Sequence, residues 1–196
     1  MINPKIEINN RVISESHSPY VIAELSANHN GSIETAMKII EEAKLANADA
    51  VKLQTYTAET ITLESSEPDF QIKGGLWDGS TLFDLYNKAY TPWEWHDGLK
   101  KHANNLGMEL FSSPFDVTAV EYLQKLDMPA YKVASCEITD HILIKKIAKT
   151  GKPVILSSGN ASIEDLEEAV KILRNSNCND ICILKCTSAY PARKED

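Results

Sequence analysis

An α/β fold, a parallel sheet covered by helices, is predicted by three features of this sequence. Six short segments are apolar enough to be buried strands, helical segments stand between most of them, and the strand-like segments are too apolar to leave one face in water. The segments are YVIAEL (20–25), AVKLQ (50–54), MELFSS (108–113), AYKVAS (130–135), PVILSS (153–158) and ICILKC (181–186).

Taken in order, the elements each have a local reason. KIEINNRVIS (5–14) alternates apolar and polar residues about Asn9-Asn10, a pair tolerant of positive φ, and predicts a β-hairpin that plugs one end of the sheet. After the first strand, Ser32 can cap a helix through IETAMKIIEEAKLA, where Ile33, Met37, Ile40 and Ala43 or Lys44 recur at helical spacing. Between Gln54 and Met108 lie 53 residues, well beyond the spacing elsewhere, so this gap carries an insertion. EPDFQIKGGLWDGS (67–80) is polar and glycine-rich and reads as a long loop of the kind usually kept for function. STLFDLYNKA reads as one short helix and TPWEWHDGLKKHANNLG as a second, with Thr91, Pro92 and Glu94 forming a capping box with proline at the first helical position. Asp116 then opens VTAVEYLQKL, Asp140 opens HILIKKIAK, which Gly151 stops, and Ser162 opens IEDLEEAVKILR with Asp165 as its reciprocal cap.

Composition narrows the function. The chain of 196 residues is 43% hydrophobic, ordinary for a globular domain, and its net charge of −8 with scattered lysines and arginines gives no basic footprint for nucleic acid. The N-terminus lacks the apolar core of a signal peptide, and no apolar run approaches the ~18 residues of a membrane span, so no membrane is implied and a cytoplasmic location is expected. Four cysteines, Cys136, Cys178, Cys182 and Cys186, are too few and too unevenly placed for a disulfide framework. The C-x3-C-x3-C spacing of the last three admits a metal, but Cys182 and Cys186 fall in a strand-like run and are read first as core.

Parallel α/β folds place ligands at the carboxyl ends of their strands, and here every strand ends in polar residues. Glu24 leads into SANHNG; Lys52 and Gln54 follow, then SSPFD, then Lys132 with Ser135 and Glu137, then SSGN, then CTSAY. A lone lysine at a sheet end can be a snorkelling side chain. Two at matching places beside strand-end serines favour a site for a small, multiply charged anion such as a phosphorylated carboxylic acid, because the ammonium groups supply charge and the hydroxyls supply oriented donors.

Those residues also resemble a known family. AELSANHNG is similar to the AEIGxNHNG opening of the sialic acid synthase family, and DAVKLQTY, FSSPFD, YKVASCEI, ILSSGN and LKCTSAYP follow in that family's order over residues 20–191. The stretch LWDGSTLFDLYNKAYTPWEWH, and ASCEITD in place of a GSGE motif, resemble the branch that makes pseudaminic acid. The resemblance implies a (β/α)8 TIM barrel. It also implies a reaction joining phosphoenolpyruvate to an N-acetylated six-carbon aldose, here 2,4-diacetamido-2,4,6-trideoxy-altrose, with a divalent metal, Mn or Mg. By the same resemblance Lys52, Ser113, Lys132, Ser135, Ser157 and Ser188 hold the phosphate and carboxylate of phosphoenolpyruvate. Glu24 and Tyr190 face the sugar, Asn28 and His29 lie beside the site, and Glu24, Lys52 and Lys132 are the expected catalytic groups.

A complete barrel takes ~250 residues and eight strands, and six are counted here, so residues 1–196 are expected to be a partial barrel domain without the family's C-terminal antifreeze-like domain. The resemblance puts the metal-binding histidines on the last two strands, past Asp196, and a homodimer in the complete protein. Of the five histidines present, His17, His96, His102 and His141 are expected to be exposed in loops and helices. Alternatives to the synthase are a non-catalytic remnant that only binds, and another lyase on the same barrel.

Overall fold

The computed structural model describes residues 4–187, 193 and 195. In chain order the elements begin with a hairpin, β1 (Lys5–Ile8) and β2 (Arg11–Ser14), followed by β3 (Ile22–Glu24), α1 (Ile33–Leu45), β4 (Ala50–Thr55), α2 (Ala58–Ile61), α3 (Leu82–Ala89) and α4 (Trp95–Asn105). They continue with β5 (Glu109–Pro114), α5 (Val117–Lys125), β6 (Tyr131–Val133), α6 (His141–Ala148), β7 (Val154–Ser157), α7 (Ile163–Asn175) and β8 (Ile181–Leu184). All six strands expected after the hairpin are present. The chain forms two compact units, residues 21–110 and residues 1–20 with 111–196.

In the unit 21–110, β3 and β4 run parallel with Glu24 opposite Lys52. The crossover helix α1 begins where the Ser32 hydroxyl accepts the Thr35 N–H at 3.1 Å, and it buries Ala36 and Ile40. β4 is buried along nearly its whole length, as a strand covered on both faces must be. The insertion is more ordered than its composition implies. Residues 67–80 hold two 3-10 turns, Pro68–Phe70 and Gly75–Trp77, and Gln71 bridges Thr81. Gly74 and Gly79, at φ 79° and 82°, adopt backbone that only glycine accepts freely, and the Gly74 N–H donates to Asp78 Oδ1 at 2.6 Å.

The second helix of the insertion departs from expectation. Thr91 does not cap it: α4 starts at Trp95 behind a turn in which Trp95 N–H donates to Pro92 O, and its N-cap Glu94 makes no side-chain bond. The physical reason is competition, because the Thr91 hydroxyl is buried and bonded to His29 instead. His96 departs too. Expected to be exposed, it is fully buried, since the start of α4 turns it toward β4, where its Nε2 meets Thr55 Oγ1 at 2.8 Å.

In the other unit the hairpin pairs antiparallel through Asn9 and Asn10 at φ 46° and 67°, both left-handed as a two-residue hairpin turn requires, and it buries Ile6 and Ile8. Strands β5 to β8 run parallel, in chain order, and β6 and β7 are buried throughout. The expected caps are in place. Asp116 accepts from Thr118 and Ala119, Asp140 from Ile142 and Leu143, and Ser162 with Asp165 forms a reciprocal capping box. Leu143, Ile144 and Ile147 of α6 and Ala169 and Leu173 of α7 face the core. Among the described residues no helix is long and apolar enough to cross a membrane.

Candidate active site

Residues 21–110 bring one group of the expected site residues together. Lys52 lies at mid-strand in β4 with its side chain 8% exposed, and its Nζ sits 2.9 Å from Glu24 Oε2, whose side chain is 54% exposed. An ammonium in so dry a place needs a compensating charge, and the neighbouring strand end supplies it. One residue beyond β3, the Leu25 N–H donates to Lys52 O, which extends the pairing and sets where the next residues turn. Ser26 then enters the left-handed region at φ 50° and its hydroxyl donates to Gln54 Oε1 at 3.2 Å. Asn28 is exposed. His29 is buried: its Nδ1 accepts the Gly31 N–H at 3.0 Å and its Nε2 meets Thr91 Oγ1 at 3.2 Å. Burial holds its pKa below the ordinary histidine value.

Residues 111–196 hold the second group. β5 and β6 are in register at Ser112 and Tyr131, so one residue further on Ser113 and Lys132 share a face. Ser113 is buried. Lys132 is 7% exposed, and its Nζ donates to Ser157 Oγ and to Val133 O. Ser157, the last residue of β7, stands on the same face because Lys132 pairs with Ile155, two residues earlier. Ser135 follows β6 in a 3-10 turn, and its hydroxyl accepts the Gly159 N–H at 3.0 Å, which fastens the end of β6 to the loop after β7.

Two residues named at the strand ends but not among the expected site residues join this group. Cys186 was assigned to the core with Cys182, yet of the four cysteines only Cys178 is buried. Ser157 pairs with Leu184 of β8, so Cys186, two residues on, emerges on the lysine's face. Burial alone raises its thiol pKa. Hydrogen bonds from the Ser157 side chain, the Ser158 backbone and the Ser135 side chain, with the charge of Lys132, outweigh that and lower it. Counting by twos from Leu184 was the signal available for this residue. Glu137 closes the turn after Ser135, and its Oε2 is buried with no hydrogen-bond partner. Desolvation raises its pKa, against the opposing pull of Lys132. Ser188 and Tyr190 lie outside the described residues.

The chemistry each group supports is anion binding at a strand end: in one a buried ammonium is paired with a carboxylate, and in the other a buried ammonium stands beside hydroxyls and a carboxyl group able to exchange a proton. Among the described residues no three His, Cys, Asp or Glu side chains are grouped to hold a metal ion; the resemblance places the metal-binding histidines on later strands.

Comparison with known proteins agrees with the architecture. The sequence pattern of the NeuB family matches residues 39–196. Pseudaminic acid synthase of Campylobacter jejuni subsp. jejuni serotype O:23/36 is 49% identical over 177 residues, 90% of this chain and 52% of that protein. Pseudaminic acid synthase of Helicobacter pylori is 49% identical over 178 residues, 91% of this chain and 52% of that protein. The chain therefore spans about half the length of these relatives. A crystal structure of N-acetylneuraminic acid synthetase from Leptospira borgpetersenii, in complex with citrate, superposes with a TM-score of 0.85 at 29% identity, over 98% of this chain and 62% of that one.

Proposed function

The chain belongs to the NeuB family, and on that premise we propose that the protein condenses phosphoenolpyruvate with an N-acetylated six-carbon aldose to give a nine-carbon nonulosonic acid and phosphate. The observation that carries the proposal is Lys132, an almost fully buried ammonium beside Ser157, in a cluster that Ser135 and Cys186 complete. An ammonium at a strand end beside hydroxyls that can orient an anion suits a bound phosphate or carboxylate. Lys52, next to Glu24, is the second such group.

In the reaction C3 of phosphoenolpyruvate bonds to the sugar aldehyde carbon, whose oxygen takes up a proton. Water adds at C2, and phosphate leaves with cleavage of the C2–O bond, leaving an α-keto acid. Lys132 and Lys52 neutralise the phosphate and carboxylate, and Ser113, Ser135, Ser157 and Ser188 orient them. Glu137 takes the proton of the added water, a task suited to a carboxyl with a raised pKa. Glu24 and Tyr190 meet the sugar hydroxyls. The likeness to two pseudaminic acid synthases supports 2,4-diacetamido-2,4,6-trideoxy-altrose as the sugar. In the insertion, Tyr56 and Tyr86 pack edge to face at 5.7 Å, with Tyr56 in the core beneath the exposed part of that segment.

The test is calorimetric titration of phosphoenolpyruvate into the wild type and Lys132→Met, which conserves apolar volume and removes the charge. Affinity should fall at least about 30-fold, the equivalent of about 2 kcal/mol for a buried charge partner. Undiminished affinity in a folded variant would make Lys132 a structural lysine and sink the proposal.

A further inference from the structure

We propose that His29 is a positioning residue, which fixes the loop that follows Glu24 and carries Asn28 to Thr91 in the insertion, and does not itself touch substrate. Both ring nitrogens are already spent. Nδ1 accepts the Gly31 N–H, so Nε2 carries the ring proton and donates it to the Thr91 hydroxyl. The ring is 1% exposed, Thr91 is equally buried, and Trp95 packs edge-on against the imidazole at 5.5 Å and 78°.

The loop is wound around this ring. Asn28 N–H donates to Leu25 O, Asn30 N–H to Ala27 O, and Ser32 N–H to His29 O, so three successive turns carry the chain from Leu25 to Ser32 past the histidine. Ser26, Asn30 and Gly31 sit at positive φ, a conformation that non-glycine residues keep only when surroundings over-determine it. On the other side, the two ends of the insertion are stapled together. Thr55 Oγ1 donates to His96 Nε2, His96 Nδ1 donates to Pro92 O at 3.3 Å, and Trp93 Nε1 donates to Tyr56 O at 3.2 Å. Thr91 is one residue from that staple. The His29–Thr91 bond therefore joins the loop to the base of the insertion and holds both in one fixed arrangement.

The structural part of this inference stands alone; its effect on turnover rests on the proposed sugar condensation. Thr91→Val keeps the shape of the side chain and removes the acceptor, while Thr91→Ser restores it. In Thr91→Val, amide hydrogen exchange across residues 26–32 should quicken about tenfold, as expected for loss of one buried hydrogen bond, with the amides of α7 unchanged. KM for the sugar should rise while KM for phosphoenolpyruvate holds, and Thr91→Ser should recover both readouts. Nitrogen NMR of His29 should show a bare Nδ1 and a protonated Nε2, unmoved by saturating phosphoenolpyruvate or by its combination with sugar. Unchanged exchange at 26–32, equal acceleration in α7, or a direct ligand shift at His29 would each overturn the inference. Absence of turnover with every sugar would instead count against the proposed reaction and leave the exchange result to be judged by itself.

Discussion

At the scale of single residues, burial decides which side chains do chemistry and which hold structure. Lys132 and His96 are both buried polar groups in helix-and-strand surroundings, but they are compensated differently. Lys132 remains among hydroxyls, whereas His96 is neutral: desolvation drives its pKa down to about 4, and the Nδ1 bond to Pro92 O opposes this only in part. The unfolded chain takes up a proton at this histidine near pH 6.5 and the folded chain only near 4. Stability is therefore full above about pH 6.5 and falls as pH drops through that window, by an amount on the order of 3 kcal/mol at its lower end. His29, lowered by burial, acts in the same direction. Urea denaturation from pH 7 to 4.5 should show this loss, and His96→Gln should flatten the profile; a slope unchanged by the substitution would contradict the assignment. The lysines and strand-end serines were legible in the sequence because strand alternation places them. His96 was not, because nothing local distinguishes a histidine that a helix turns inward from one it turns out.

At the scale of elements, local signals succeed where one side chain has one partner available. Ser32, Asp116, Asp140 and Ser162 each cap the helix that the sequence assigns to them. Thr91 carries an equally good capping pattern and fails, since a buried histidine distant in sequence claims its hydroxyl. The same logic hides the short helix α2 and the two 3-10 turns of the insertion: each is too brief for a periodic pattern to declare it. Ser162→Ala should destabilise the protein by about 1 kcal/mol, the usual cost of losing an N-cap, and chemical denaturation measures it directly. Asp165→Ala should cost less than Ser162→Ala, because it leaves the Ser162 hydroxyl on the Asp165 backbone N–H intact. Equal losses from the two substitutions would show that the reciprocal half of the box matters as much as the cap itself.

At the scale of the whole molecule, the fold class was legible because six apolar strands alternating with capped helices have few other solutions. The reaction was legible only through six ordered motifs, since composition and periodicity indicate an anion at strand ends but no particular sugar. The sugar depends on the insertion, and the expected outcome there is selective turnover: 2,4-diacetamido-2,4,6-trideoxy-altrose accepted and N-acetylmannosamine refused. Comparable turnover of the two would remove the pseudaminic branch while leaving the family in place. The most direct measurement of the central claim is mass spectrometry of the products formed by the native gene product from phosphoenolpyruvate and the diacetamido sugar, with phosphate release followed in parallel. The account predicts a nine-carbon α-keto acid and one phosphate for each sugar consumed. Release of phosphate without a carbon–carbon bond, or a borohydride-trapped keto-acid adduct on Lys52 or Lys132, would contradict it.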